Sequence, residues 1–220
     1  MEPAREWEPM HEHVSRVALL SDGQWHITHI RDFIFTSDAP PVYRWSERTI
    51  DTSQITTAHF YRFPLEQFGK MRWLFAHTCI GFSFNDGTDL LYSIEVRQKA
   101  DEEYHPGGNS ENVRMFATLN YFRGFRHMVR KRGFSRYHIL LPQSEVAGLL
   151  EACLEDAHDA YGKFNHYHAI TNQCTTALIR AMNRGLKKPI PWHPGLHLTG
   201  LTHHVIAKRG LINLAQKETL

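Results

Sequence analysis

The chain is poor in cysteine: its 220 residues hold three, Cys79, Cys153 and Cys174, and no two are close in sequence. An odd number at such spacing supplies neither a disulfide framework nor a CxxC metal site, and it leaves at least one thiol unpaired. No HExxH occurs either. An excess of one charge is also lacking, since 25 Lys and Arg against 23 Asp and Glu leave +2. That field is too weak for a dedicated nucleic-acid binder, so no nucleic-acid partner is expected. No apolar run approaches the length of a membrane span. The first residues, MEPAREWEPMHEHVSR, are charged throughout and have no apolar h-region. These absences predict a soluble chain that acts where it is made or after losing a targeting segment. The sequence does not choose between the two.

What is plentiful is histidine, 16 in all. Net charge therefore climbs steeply as pH falls through the unperturbed imidazole range near about 6.5. The length suits one substantial core and hardly two. Residues 1–22 read as a polar lead, frayed or briefly helical, and 23–220 as a single domain. QWHITHIRDFIFT, from Gln24, alternates in the manner of a half-buried strand, which Asp38-Ala-Pro-Pro ends. An irregular stretch follows as far as Asp51, and then ITTAHFYRFP reads as a strand closed by Pro64.

AHTCIGFSF and LLYSIEVR carry the strongest local pattern, with even positions Ile80, Phe82, Phe84, Leu90, Tyr92, Ile94 and Val96 apolar. Asn85-Asp86-Gly87 is the turn of a hairpin between them. Opposed residues of an antiparallel pair share a face, so uniting both apolar sets requires paired numbers with an even sum. A loop at 85–87 sets His77 across from Glu95. A loop at 86–88 sets His77 against Arg97 and Cys79 against Glu95. Either register collects His77, Glu95 and Arg97 on the polar face.

Residues 101–112 read as an exposed loop. YFRGFRHMVRKR, from Tyr121, reads as a basic amphipathic helix with Tyr121, Phe122, Phe125, Met128 and Val129 on its apolar side. Such a basic face suits lipid or nucleic-acid phosphate, but solvation is the plainer reading. Tyr137–Leu141 reads as a strand. A helix capped by Ser144 follows, with Cys153 on its apolar stripe. A shorter helix, opened by Thr171 or Asn172, ends at Gly185. HHVIAK reads as a last strand.

A helix N-terminus supplies partial positive charge and free amide hydrogens, which favour a thiolate. Cys174 falls there, in the polar setting TNQ-C-TT, with Asn172 and Gln173 as oxyanion or substrate contacts. Arg97 is a further substrate contact. His77 is the natural base, and a carboxylate across the hairpin, Glu95, fixes its tautomer and stabilises the imidazolium. The plainer alternatives are that Cys174 is a small buried hydrophobe and His77 a structural histidine. Cys79, two residues from His77, is the rival nucleophile. His166-x-His168, His193-x-x-x-His197 and His203-His204 invite a metal reading, but each lacks a third ligand. No metal and no cofactor is expected.

Taken together, WHITHIRDFIFT, AHTCIGFSFNDG, SIEVRQKADEEY, ITNQCTT and the closing RGLIN resemble the Lnb N-terminal periplasmic domain family, over about Trp25 to Asn213. The resemblance implies an α+β, circularly permuted papain-like fold of the NlpC type, with an antiparallel sheet packed on helices and the nucleophile at a helix N-terminus. It implies His77, Glu95 and Cys174 as a triad. It also implies acyl transfer or hydrolysis through a thioester in the periplasm or cell envelope, with a phospholipid or lipoprotein as substrate. A peptidase or amidase acting on cell-wall peptides is the nearest alternative, since one dyad serves both leaving groups. A non-catalytic module offering its basic helix to anionic lipid is the alternative of another class.

Overall fold

The structure, a computed structural model, describes residues 7–65, 70–71, 73–100, 110–129 and 133–220. Its strands are β1 (Arg16–Ser21), β2 (Gln24–Arg31), β3 (Trp45–Asp51), β4 (Ile55–Pro64), β5 (Ala76–Phe84), β6 (Asp89–Arg97), β7 (Glu111–Thr118), β8 (Ser135–His138) and β9 (Glu218–Thr219). Four α-helices accompany them: α1 (Leu119–Gly124), α2 (Gln143–Ala160), α3 (Cys174–Gly185) and α4 (Thr202–Lys208). The strands form one sheet in the order β1-β2-β7-β6-β5-β4-β8-β9, with β3 also on β2. Its pairings are antiparallel apart from a single parallel bridge, Arg31 to Ala117, which ties β2 to β7. The fold is α+β.

The hairpin β5-β6 takes the first of the two expected registers. Phe84 N–H donates to Thr88 C=O, and Ile80 pairs with Tyr92 and Cys79 with Ser93. Even positions from Ile80 to Ile94 join α2, α3 and α4 in the larger core. The opposite face is no wet surface. Cys79 and Leu91 lie there in a second core with Phe33, Tyr61, Phe63, Tyr121 and Phe122. Helices thus cover one face of the sheet, and α1 with the Phe33–Phe35 segment covers part of the other.

Several sequence expectations give way here. The lead read as frayed contributes β1, which pairs along β2 and buries Val17. The stretch before Asp51 read as irregular is β3, paired to β2 from Gln24 to Arg31. HHVIAK is α4, because Thr202, Val205 and Ile206 are buried at helical spacing, and alternation is absent. Ser144 does not cap α2, whose N-cap position is Pro142. The basic helix is α1 followed by a π-helical turn, Phe125–Val129. That extra residue per turn rotates the stripe: Arg126 is buried, while Met128 and Val129 are exposed. Residues 130–132, and 101–109 of the expected loop, lie outside the described residues; Glu111 and Asn112 already belong to β7.

The position of α3, and so of its first residue, depends on close contact with α2. A Cβ on Gly185 would meet the Gly148 carbonyl oxygen and lie 2.7 Å from Leu149 Cα. Gly185→Ala is therefore expected to lower stability by about 1–3 kcal/mol through overpacking. A thermal melt indistinguishable from wild type would show that the two helices have room to separate.

Candidate active site

Cys174 is the first residue of α3, and Gln173 is its N-cap. The cap is a reciprocal box: Gln173 Oε1 accepts from Thr175 N–H at 2.9 Å, while Gln173 N–H donates to Thr176 Oγ1 at 3.2 Å. Gln173 Nε2 donates one of its two hydrogens to Leu196 C=O at 3.0 Å, so this side chain braces the helix start. Asn172 is likewise occupied. Its Nδ2 donates to His166 C=O, and its Oδ1 accepts from Arg180. Both were expected as substrate or oxyanion contacts; their side chains hold the helix start together, and Gln173 also lines the cavity that Cys174 faces.

The β5-β6 ladder runs from Ser83↔Asp89 to Cys79↔Ser93, so His77 and Glu95 stand just beyond it. The start of α3 reaches this opening, with Thr175 Oγ1 2.9 Å from Thr78 Oγ1. His77 Nε2 is 2.7 Å from Ser93 Oγ and 3.7 Å from Glu95 Oε1. Ser93 Oγ is in turn 3.3 Å from Glu95 Oε1. With Nε2 engaged, Nδ1 is the nitrogen left for the thiol. The order is Cys174, His77, Ser93, Glu95, and it ends on Arg31, whose Nη1 donates to Glu95 Oε2 at 2.8 Å.

The electrostatics run in opposite directions at the two ends of this series. Burial alone raises the Cys174 thiol, but the hydrogen bond and charge of His77, with help from Thr78 N–H and Thr175, outweigh it and leave the thiol below its ordinary value. Burial alone lowers His77, yet Cys174 and Glu95 outweigh it and raise the imidazole above its ordinary value. Glu95 resists burial because the charges of Arg31 and His77 hold it below its ordinary value. Cys79, the rival nucleophile, is fully buried among Tyr61, Phe63 and Leu91, and burial pushes its thiol well up. Cys153 is equally buried and raised in the larger core.

Arg97 does not join the group. Its guanidinium donates to the carbonyls of His11 and Glu12, pairs with Glu111 and lies over Trp7. Arg31 takes the place expected for it, through a bulge. The β2 register shifts between Ile27 and Ile30, and His29 adopts φ 57°. Ile30 thereby continues the core row of Trp25 and Ile27, and Arg31 turns to the opposite face. There its Nη2 is 3.5 Å from His11 Nδ1. Burial and Arg31 push His11 down to about 4, so its ring is neutral near pH 7 and adds no charge to the cluster.

Sequence reasoning missed Ser93, Arg31 and His11. Ser93 shares the parity of Glu95 and was open to notice. The other two meet Glu95 only through long-range folding. Cys174, His77 and Glu95 line a cavity of about 680 Å³ whose walls include Met10, Phe63, Leu65, Phe75, Phe122 and Phe125. The histidines considered for metal serve local turns. His168 Nδ1 accepts from Thr171 N–H, His193 Nδ1 accepts from Gly195 N–H, and His203 and His204 stack at 4.1 Å. Among the described residues no three His, Cys, Asp or Glu side chains gather as metal ligands. No helix there is long and apolar enough to cross a membrane.

The family model described as the Lnb N-terminal periplasmic domain matches residues 42–206. This span is narrower than the Trp25–Asn213 stretch expected from the motifs. It contains Cys174, His77, Ser93 and Glu95, and leaves out His11, β1 and β2 with Arg31. No curated protein and no solved structure matches the chain.

Proposed function

Because the chain belongs to the Lnb N-terminal periplasmic domain family, we propose that it is a periplasmic or envelope enzyme that transfers or hydrolyses an acyl group through a thioester on Cys174, taken from a lipid or lipoprotein ester. The observation that carries the reading is the mutual pull of Cys174 and His77, each favouring the charged form of the other at the start of α3. A histidine on a strand ahead of a cysteine opening a helix is the order of a circularly permuted papain-like, NlpC-type domain.

The Cys174 thiolate attacks the ester carbonyl, and the carbonyl electrons move onto oxygen. The Cys174 N–H, at the first position of α3 where no intrahelical acceptor exists, faces that developing oxyanion. As the tetrahedral intermediate collapses, the His77 imidazolium gives its proton to the departing alcohol, leaving a thioester and a neutral imidazole. An amine or water then attacks the thioester while His77 takes its proton, which restores the thiolate–imidazolium pair. Ser93 and Glu95 hold the ring, and Arg31 keeps Glu95 ionised. The apolar cavity walls favour an acyl chain over a polar peptide, which sets the amidase alternative second.

Intact mass after incubation with phospholipid or a diacylated peptide tests this. A hydroxylamine-labile acyl adduct on the chain is expected, absent in Cys174→Ala and retained in Cys153→Ala. An adduct formed only from cell-wall peptides would move the activity to amide bonds, and a Cys174 that titrates as an ordinary thiol and never acylates would sink the enzyme reading.

A further inference from the structure

The mouth of the Cys174 cavity has an unusual border. Four stretches of its lining meet at this border: Phe63 and Leu65 with Phe75 and Ala76, the π-helical turn with Phe125 and Arg126, Tyr167 to Cys174 with Ala169, and the segment of His197 and Thr199. Each also carries large apolar side chains turned outward. Trp192 is 73% exposed and Trp73 57%, and Met71, Met128, Val129, Ile170 and Leu198 are exposed as well. Scattered singly, such residues would need no explanation. Here they are tied together around one opening. Trp192 Nε1 donates to His197 Nε2 at 3.1 Å, so His197 Nδ1 carries the proton and donates to Ile170 C=O at 2.9 Å. Gly200 N–H donates to Leu74 C=O, and Arg62 reaches both Gly200 C=O and Trp73 C=O. Arg126 donates to Pro64 C=O, which ties the π-helical turn to the first segment. Hydrogen bonds thus join the first segment to the second and the fourth, and the third to the fourth.

The charge around it has one sign. Between Glu111 and Glu145, and again between Asp159 and Glu218, the sequence contains no Asp or Glu. Three of the four segments fall in these acid-free stretches, with Arg123, Arg126 and His127 in or next to the π-helical turn. Among its described residues the remaining segment carries one charged side chain, Lys70. Exposed tryptophan with aliphatic and basic neighbours and little acid suits the boundary between lipid headgroups and acyl chains. A protein partner of matching shape would need no such charge bias, whereas an anionic bilayer does.

We propose that the border of the Cys174 cavity is a docking surface for an anionic phospholipid bilayer, with Trp73, Trp192, Met128, Val129 and Ile170 set among the headgroups so that an ester enters the cavity from the membrane. The proposal rests on the thioester reading for what enters, but its surface is tested separately. The full chain is sedimented with phosphatidylcholine vesicles with and without phosphatidylglycerol, at low and high salt. Salt-sensitive binding to the phosphatidylglycerol vesicles is expected, falling about tenfold or more in Trp73→Ser/Trp192→Ser and in Met128→Ser/Val129→Ser. Wild-type binding that is absent, or that salt does not weaken, overturns the proposal, as does equal binding by both double variants. Lipid-free self-association that Trp192→Ser abolishes would assign the patch to a second protein and overturn it too. Alkylation of Cys174 by soluble iodoacetamide is followed in the same samples, and it also reports whether each variant is folded. Normal alkylation with no docking rejects the surface alone. Docking with an inert Cys174 rejects the enzyme alone.

Discussion

Replacing His77 by alanine is expected to slow alkylation of Cys174 near neutral pH on the order of ten- to a hundredfold and to move the midpoint of its pH profile upward. In the native site the thiol ionises below its ordinary value of 9.0, so the reactive thiolate persists as pH falls from that value and is lost only as pH drops through the lowered one. Burial opposes the thiolate throughout, and His77 has the largest part in overcoming it. Without the imidazole, burial remains and the thiol reverts upward. Ser93→Ala is expected to act more weakly on the same profile, because the Glu95 carboxylate stays 3.7 Å from His77 in the native arrangement. Cys174→Ala removes labelling altogether, since Cys79 and Cys153 are fully buried with raised thiols. Rates are read by mass after timed exposure to iodoacetamide. Superimposable profiles for wild type and His77→Ala would mean that the helix start alone sets the thiol, and that His77 is a bystander.

The second large effect is on stability. Arg31 is 1% exposed and pairs with Glu95, whose side chain is 18% exposed, so Arg31→Met leaves a half-buried carboxylate without its guanidinium partner. The expected cost is about 3–5 kcal/mol, or a fall in Tm of roughly 10 °C for a chain of this size. Glu95 is held below its unfolded value, so its contribution is present above that value and lost as pH falls through the folded one. In Arg31→Met the carboxylate becomes a liability instead, and the deficit should narrow on acidification as Glu95 takes a proton. Arg31→Met/Glu95→Gln should recover part of the loss near neutral pH. Thermal melts of the three proteins across pH decide it. A single variant within a couple of degrees of wild type would show that water or rearrangement replaces the guanidinium.

The hairpin was legible because its information is local. Parity and turn chemistry placed His77, Glu95 and Arg97 on one face and left two registers, of which the Phe84–Thr88 bond of the structure selects the one that sets His77 across from Glu95. The helix start at Cys174 was legible for a similar reason, although the capping residue proved to be Gln173. Where the chain departed from expectation, a local irregularity reset the periodicity. The bulge at His29 exchanged the faces of Ile30 and Arg31, and the π-helical turn exchanged the sides of Arg126 and Met128. One residue added to a strand or a helical turn inverts every later assignment of faces, and composition gives no warning of it.

The sequence by itself picked out the candidate thiol and its candidate base, narrowed the register of the hairpin that carries the base to two choices, and determined the absence of charge bias overall. Only the tertiary structure decided what surrounds them. His11 and Arg31 reach Glu95 from segments 84 and 64 positions away, Ser93 stands between His77 and Glu95, and exposed apolar side chains from four separate segments border one cavity. Local pattern reports which way a side chain faces within its own element. Which elements meet at that face is set by packing the whole chain around two cores, and no window of sequence contains it.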